Sequence, residues 1–531
     1  MRRLLLLSCL ASGAGCAGQR VVLPAGALPA AATTRDSRTA EVLGTTAAPL
    51  PVPPPGPAKP FDLPPALTGS QVPPPVLPRF EKDTPAAERD RVTRAAYPTL
   101  TPVSGELPAG DRLVTLAELQ ELARSQSPVV VRAQADAAVS YGRVIQAGLY
   151  PNPTIGYQAD QVQPGPRPLP LNNPGQQGGF INQLIKTAGK LTLAQRVAGY
   201  DYVNALVAVR RAEVDVTLAV RTQYFTALVA QESLRVNAAL AKVADEVYDL
   251  QLRKVAAGVD EAYKPRPLYA QAIQARNGVI QAQATYRAAW RQLAAAVGQP
   301  DLPQGTLAGR ADAPAPVYDA DAVRPLLDNH TDLLTARNSI SQAQTNLTLQ
   351  RRTPIPDLQT NQYHQYDNVA QNYQFGLQLG INLPISDRNQ GNIRAAGAQI
   401  ASSTAALAVS QNNLVGRLSE AFARYDANRQ VAANYRDKIL PNFIQAYRAT
   451  ALQFQAEPDK VGFNDIVVAQ QNVGVALQAY LTALAAQWQG VVDVAAVLQL
   501  DELYLDAVPP VTVVPPVAVP VPPVAVPAAP K

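Results

Sequence analysis

Apolar and polar residues alternate without interruption along residues 373–383. Glutamine, glycine or asparagine occupies each even position, and a large apolar residue occupies each odd one: Tyr373, Phe375, Leu377, Leu379, Ile381 and Leu383. Because successive side chains of a strand point to opposite faces, the segment predicts a strand with one wholly apolar face. This pattern is typical of a membrane-barrel strand, with lipid outside and water inside. A strand of a soluble antiparallel sheet with one wet face is the alternative.

Two other stretches have the period of long helices. Leu240, Val243, Val247 and Leu250 repeat at steps of three and four, as in the seam of a coiled coil. Proline is absent from residues 187–257, so a continuous helix of about 70 residues, roughly 105 Å long, is predicted there. A second helix of similar length is predicted over about 390–455, interrupted only by Pro441.

The two long helices belong to halves of the chain that repeat each other. Each half reads as a helix (115–149 or 319–352), a β-hairpin, a very long helix, a sharp turn and a further helix. The offset between landmarks is nearly constant: 203 residues from Pro151 to Pro354, 202 from Gly189 to Gly391, and 198 from Trp290 to Trp488. This indicates an internal duplication whose period is far too long for a solenoid.

The two hairpins supply the β part of the predicted fold. The first uses about 154–163 and 178–185, with Ile155, Tyr157 and Ala159 on one face, and the second uses about 357–366 and 373–383. Four strands cannot close a barrel wide enough for a channel, and an open sheet edge in lipid leaves backbone groups unpaired. If the hairpins lie in a membrane, several copies must share one barrel, and three copies supply twelve strands.

The termini differ from the middle of the chain. Residues 1–16 combine Arg2 and Arg3, an apolar stretch and small residues before Cys16, which resembles a bacterial lipoprotein signal and predicts lipidation of Cys16. Ordinary cleavage nearby is the alternative. Beyond this signal there is no uninterrupted run of 18 apolar residues, so a membrane-spanning helix is not predicted. Residues 17–110 form a Pro-rich disordered linker in this interpretation, and residues 506–531 form a Pro/Val-rich tail.

Composition excludes several classes of function. The net charge of +5 is scattered, without a basic stripe interleaved with aromatic residues, so a nucleic-acid partner is not expected. His330 and His364 are the only histidines and have no ligand spacing, so no protein-built metal site and no cofactor are predicted. Phosphate-binding loops and nucleophile motifs are absent from the sequence, which argues against an enzyme.

The corner between the second hairpin and its long helix resembles a known family. Residues 383–393 read Leu-Pro-Ile-Ser-Asp-Arg-Asn-Gln-Gly-Asn-Ile, similar to the corner of TolC-like outer-membrane efflux proteins of the heavy-metal (cobalt-zinc-cadmium type) branch, although Ser386 replaces an aromatic residue. Pro384 is expected to end the strand, Asp387 to cap the helix, and Gly391 to allow close packing where strand becomes helix. Gly189 is the corresponding corner glycine, which opens the long helix of the first half. The resemblance covers about 112–504, with repeats at 111–317 and 318–505.

The resemblance implies both an architecture and a function. The fold is expected to be mainly α with a small β part: a duplicated helix–β-hairpin–long helix–helix repeat that forms a trimeric 12-stranded outer-membrane β-barrel, continued by a periplasmic α-helical barrel. The chain would be a passive exit duct in outer-membrane lipid, coupled to an inner-membrane pump through a periplasmic adaptor, with metal cations as possible cargo. A periplasmic coiled-coil scaffold or adaptor without its own pore is the alternative.

A gate is expected at the periplasmic turns, near 256–265 and 455–465, where family members carry acidic rings. Asp465 falls on the first acidic position of the family's pattern, and Val468 replaces the second. Four further acidic residues lie near these turns and are candidates for the gate: Asp459, Glu457, Asp260 and Glu261. Three copies of a carboxylate around a narrow mouth would attract cations. The alternative for each of them is a solvated charge at a helix end.

Overall fold

A computed structural model describes residues 72, 76–81, 84–101, 113–162, 175–457 and 460–504. Cys16, the tail 506–531, Asp459 and most of the 17–110 linker lie outside these residues. The chain divides into the units Met1–Pro75 and Val76–Lys531, and all secondary structure described below belongs to the second unit.

The first half contains one very long helix. Its elements are α1 (Ala86–Ala96), β1 (Leu113–Val114), α2 (Leu116–Gln126), α3 (Pro128–Ala147), β2 (Thr154–Asp160), β3 (Gln176–Ile185), α4 (Lys190–Ala256) and α5 (Pro265–Val297). The 67 residues of α4 confirm the predicted continuous helix. The single helix predicted over 115–149 is wrong, because the chain breaks at Ser127, whose side chain caps α3, and Pro128 occupies the first position of α3.

The second half repeats this order with two interruptions. After the short strand β4 (Thr306–Leu307), which ends the first half, its elements are α6 (Ala320–Val323), a 3₁₀ turn (Arg324–Asn329), α7 (Thr331–Arg352), β5 (Leu358–Asp367), β6 (Asn372–Ile381), α8 (Gln390–Asn434), a π-helical turn (Tyr435–Ile439), α9 (Leu440–Ala456) and α10 (Phe463–Leu498). The π-helical turn ends two residues before Pro441, which has no N–H to give to the carbonyl four residues earlier.

The two hairpins join into one antiparallel sheet with the strand order β2-β3-β5-β6. The central pairing sets Ile185 opposite Leu358 and Gln176 opposite Asp367. Within the second hairpin, Leu377 lies opposite Gln362 and Tyr373 opposite Tyr366. The predicted hairpins are confirmed, with strand ends that differ from the prediction by at most three residues, and β2 and β6 are left as the two edges.

Two glycines of the sheet make room for aromatic rings on the strand opposite. Gly156 lies opposite Phe180, and a Cβ on Gly156 would come 2.5 Å from Cε1 of that ring. Gly376 lies opposite Tyr363, and a Cβ there would come 1.9 Å from Cζ of the tyrosine. In both pairs the ring covers the glycine backbone, so one face of the sheet is packed by rings over glycines.

The helical part has its core where α4, α5 and α10 meet. The rings of Phe225 and Trp488 stack with centroids 4.1 Å apart, and Trp488 donates from Nε1 to the Ala311 carbonyl at 2.8 Å. Among the described residues, one helix, Asn464–Leu498, is long and apolar enough to cross a membrane by length and composition. Since 67% of its most apolar window is buried within the fold, it is typical of a core helix.

One part of the predicted N-terminal linker is folded. Helix α1 lies within 17–110 and packs against α4, so the interpretation of this region as linker without fold is wrong for residues 84–101. The segment Ala86–Ala96 contains alanine and charged residues and no proline, which favours a helix, while the flanking prolines Pro85 and Pro98 bound it.

Gly376→Val is expected to destabilise the sheet, whereas Gly380→Val on the same face is not. The valine at 376 would overlap the Tyr363 ring, and overpacking of this kind costs about 1–3 kcal/mol. Among the described atoms, none lies within 4 Å of a Cβ built on Gly380, so that variant is expected to stay within about 0.5 kcal/mol of wild type. Thermal unfolding of the detergent-solubilised variants measures both effects. Equal losses in the two variants would contradict the register described above.

Candidate functional site

One face of the four-stranded sheet is apolar and uncovered in a single copy of the chain. Tyr373 is 73% exposed and Ile155 is 74% exposed, which is unusual for large apolar residues in a folded domain. The other exposed apolar residues of this face are Tyr157, Ile181, Ile185, Phe375, Leu377, Leu379 and Ile381. The predicted apolar face of 373–383 is therefore present, and the partner strands extend it.

Strand β5 departs from this alternation. The register places Thr360, Gln362 and His364 opposite Leu379, Leu377 and Phe375, on the same apolar face. The His364 ring stacks on Tyr373 with centroids 5.4 Å apart. The outer face is thus apolar along β2 and β6 but mixed along β3, where Gln177 and Gln183 share the face of Ile181 and Ile185, and along β5. Polar residues on both faces of β5 explain why the sequence pattern does not define the outer face of this strand.

The opposite face of the sheet carries a polar network with two carboxylates. Asp160 accepts hydrogen bonds from Gln158 Nε2 at 2.6 Å and from the buried Gln365 Nε2 at 3.2 Å. Asp367 accepts from Gln176 Nε2 at 3.0 Å and from Gln374 Nε2 at 3.2 Å. Sequence reasoning missed both carboxylates. They become apparent from the strand register. It places both carboxylates on the inner face, where β2 and β5 end at the hairpin turns.

The corner after β6 is built around Asn389 rather than Gly391. Asn389 has a left-handed backbone (φ 58°) immediately before α8, and its Nδ2 donates to the Gln350 carbonyl at 2.8 Å. Among the described atoms of one copy, none lies within 4 Å of a Cβ built on Gly391, so close packing at Gly391 stays a prediction. The cap predicted for Asp387 is displaced, since its Oδ1 accepts from Asn389 N at 2.8 Å, ahead of the helix.

Pro384 and Gly189 stand where they were predicted. Pro384 lies three residues after β6 ends at Ile381, in line with a residue that cannot donate to a strand ladder. Gly189 immediately precedes α4 with φ 66°, a left-handed conformation that glycine adopts at least cost. The structural counterpart of Gly189 is therefore Asn389, and the repeat has an offset of 200 residues at this point.

Asp357 ties the two halves together next to the sheet. Its carboxylate accepts from Lys186 Nζ at 2.9 Å, Lys190 Nζ at 2.8 Å and Thr187 N at 3.0 Å. Its side chain is 17% exposed. Desolvation alone would raise the pKa of Asp357, but the hydrogen bonds from Lys190, Thr187 and Lys186 outweigh it and lower that pKa to about 2.

At the far end of α4, the first candidate gate turn holds one paired and one exposed carboxylate. Asp260 accepts from Gln251 Nε2 at 2.9 Å and from Lys264 Nζ at 2.5 Å. Desolvation raises the pKa of Asp260, but hydrogen bonds from Lys264, Gln251 and the Glu261 N–H outweigh it, so the net shift is downward. Glu261 is exposed and hydrogen-bonds the Tyr263 side chain. Asp260 therefore organises the turn.

The second candidate gate turn presents Asp465 and Glu457. Asp465 is exposed in the first turn of α10, and its Oδ2 accepts from Gly462 N at 2.8 Å, as a helix N-terminus favours. Glu457 ends α9 and pairs with Lys460 Nζ at 3.1 Å. Both residues lie at the helix tip as predicted, while a role in gating stays a prediction for all the candidates.

The two turns contact each other through apolar and aromatic side chains. Tyr248, Leu268 and Val467 form a small core in which α4 and α5 meet the start of α10. The Lys254 ammonium lies 4.6 Å from the Phe454 ring centroid, and this cation–π contact joins α4 to α9. No cluster of three His, Cys, Asp or Glu side chains suited to a metal ion occurs in the described part of the chain.

The sequence is similar to a curated metal-resistance protein. The cobalt-zinc-cadmium resistance protein CzcC of Cupriavidus metallidurans is 24% identical over 363 residues, which cover 67% of this chain and 83% of that protein. No protein-family model matches the chain.

The fold is that of solved outer-membrane channels. VceC, an outer membrane protein of Vibrio cholerae, matches 72% of this chain and 96% of its own with 17% identity and a TM-score of 0.57. CusC matches 80% of this chain and 99% of its own with 14% identity and a TM-score of 0.61. The MtrE outer membrane channel of Neisseria gonorrhoeae matches 72% and 88% with 17% identity and a TM-score of 0.59. The predicted resemblance in fold to TolC-like channels is confirmed.

Asp357→Asn is expected to remove an acid-dependent part of the stability. The folded pKa of about 2 lies below the unfolded value of about 3.9, so the carboxylate stabilises the fold above about pH 4, and this contribution is lost as the pH falls towards 2. The difference in melting temperature between wild type and variant should therefore shrink between pH 5 and pH 2. Asp136→Asn, whose side chain on α3 is 70% exposed, is the control. A difference that does not change with pH would contradict the assignment.

Proposed function

We propose that this chain, which has the fold of TolC-like outer-membrane channels, is the passive exit duct of an efflux or secretion system. The observation that carries the proposal is the exposed apolar face of the four-stranded sheet, backed by a polar inner face. Lipid is the environment in which the outer face is covered without a further protein, and water fills the inside. The duct lies in the bacterial outer membrane, and its helices extend into the periplasm.

The duct requires more than one copy of the chain. Strands β2 and β6 are unpaired edges in one copy, and unpaired backbone groups in lipid each cost several kcal/mol. Three copies joined through these edges give a closed barrel of twelve strands, a number within the range for membrane barrels. Apolar residues exposed on α8 and α9 would be covered by the same neighbours: Val409, Val415, Val431, Phe443 and Leu452. A homotrimer is therefore proposed.

The energy for transport must come from other proteins. A passive duct has no reaction to catalyse, so the chain acts without enzymatic activity, and an inner-membrane pump reached through a periplasmic adaptor is proposed to drive export.

Metal cations are the proposed cargo, because the curated relative CzcC is named for cobalt, zinc and cadmium resistance. Cleavage immediately before Cys16 and lipidation of that cysteine would place the mature N-terminus at the membrane.

The runner-up function, a periplasmic coiled-coil scaffold or adaptor without a pore, leaves the sheet unexplained. Such a protein would have no reason to expose large apolar side chains along three strands of one sheet. The long helices fit either function. The uncovered sheet face, and not the helical part, separates the two.

Leu377→Arg and Gln378→Arg form a matched pair that tests the proposal. Leu377 lies on the apolar face and Gln378 on the inner face. An arginine facing lipid costs up to about 2–4 kcal/mol, whereas one facing the lumen mainly repels cations. Leu377→Arg should therefore reduce the membrane-inserted trimer, and Gln378→Arg should keep the trimer but lower cation conductance in planar bilayers. If both variants assemble equally well, or if the wild-type protein is a monomer that washes off membranes, the channel function fails.

Asp465→Asn is expected to reduce the cation selectivity of single channels without unfolding the tip. Asparagine retains an oxygen that can accept the Gly462 N–H bond, so the variant removes charge rather than the helix cap. A ring of three carboxylates would otherwise concentrate cations at the mouth. Asp136→Asn serves as a control for a surface charge on a different helix. Selectivity identical to wild type would exclude Asp465 from the gate.

A further inference from the structure

Residues 84–101 are docked on the candidate gate, far along the chain from the turns they touch. Helix α1 packs against α4, and Thr93 and Tyr97 are almost fully buried, with 1% and 4% exposure. Tyr248, a contact of this segment, lies 58 residues into α4, which corresponds to about 85 Å from the sheet end of that helix. The segment therefore lies at the tip.

Three polar contacts join the segment to the first candidate gate turn and to the ends of the two helices that flank it. The Tyr97 hydroxyl donates to the Ala262 carbonyl, in the connection between α4 and α5. The Tyr248 hydroxyl donates to the Pro98 carbonyl at 2.7 Å. The guanidinium of Arg266 lies 5.8 Å from the centroid of the Tyr97 ring. Burial raises the pKa of Tyr248 to about 12, so its hydroxyl remains protonated and able to donate at physiological pH.

An apolar contact extends the docking to the second half of the chain. Leu100 packs against the small core formed by Tyr248, Leu268 and Val467. Val467 belongs to α10, and Leu268 to α5. Residues 97–100 therefore touch the place where the tip helices of the two repeats meet. Any opening that separates α10 from α5 must disturb this core, and Leu100 covers it.

We propose that residues 84–101 form a clasp that holds the tip of the channel in its closed arrangement and must be released when the tip opens. The proposal rests on the proposed channel function for its meaning in transport. It gives the segment before the repeats a regulatory role, because any interaction that withdraws the segment would favour the open tip. The coupling is physical: the same few contacts hold the segment and join the two repeats.

The length of chain before the clasp is sufficient for this arrangement. The sequence places 67 residues between Cys16 and Thr84. Fully extended, they can span up to about 220 Å, more than twice the roughly 100 Å length of α4. A chain attached at the membrane through Cys16 can therefore reach the tip.

Hydrogen exchange of the full mature chain in detergent, together with bilayer conductance, tests the clasp. Tyr97→Phe keeps the ring beside Arg266 but removes the donor to Ala262, and it should speed exchange of the tip amides at 252–269 by about two- to tenfold. Tyr97→Ala also removes the ring and should have a larger effect and a higher open fraction. Arg91→Ala, on a side chain of α1 that is 82% exposed, should match wild type.

Two readouts make the outcomes decisive. Faster exchange at both 84–101 and 252–269, with an unchanged trimer, supports the clasp. Faster exchange confined to 84–101, with wild-type exchange at 252–269, overturns it, because the segment would then be a passive attachment. If neither the wild-type protein nor any variant conducts ions, the proposed channel function fails. The exchange data still decide whether the segment stabilises the tip.

Discussion

The obligation to pair every backbone N–H and C=O in lipid is the constraint on which this architecture depends. One copy of the chain satisfies it across β2-β3-β5-β6 and leaves the outer edges of β2 and β6 open. The apolar face cannot be placed in water without cost, and the edges cannot be placed in lipid alone. Closure by further copies resolves both problems at once. In the proposed channel, one copy of the sheet is therefore an incomplete unit, whereas the helical part has a core of its own.

The two halves share the same order of main elements, but different residues stabilise them. Both long helices start from a left-handed residue, but the first half uses Gly189 and the second uses Asn389. Asparagine adopts this conformation less easily than glycine, and here its side chain also bonds the end of α7. The first corner instead relies on Asp357, which belongs to the second half and receives bonds from the first. The two corners are thus stabilised together beside the sheet.

Local patterns predicted the elements well, and contacts between distant residues were not predictable from them. The period-two pattern of 373–383 and the proline-free stretch of α4 correctly indicated a strand and a helix, because both signals are properties of neighbouring residues. The face of β5 could not be read, since polar residues occupy both of its faces.

The pairing of Asp260 with Lys264 and Gln251, and the docking of Tyr97 on Ala262, depend on how loops fold back on helices. Helix α1 was also not predicted, because its 11 residues are a small part of a region whose overall composition is rich in proline.

The π-helical turn at Tyr435–Ile439 has a geometric consequence for the second long helix. Residues 390–456 comprise 67 residues, the same length as α4, yet they include one turn with an extra residue. Each residue of an α-helix advances the side chain direction by about 100°, so an inserted residue rotates everything that follows by about that angle. The side chains of α9, which follow the π-helical turn, therefore point in directions different from those of the equivalent positions in α4. Two long helices of equal length can in this way present differently placed side chains along their lower parts.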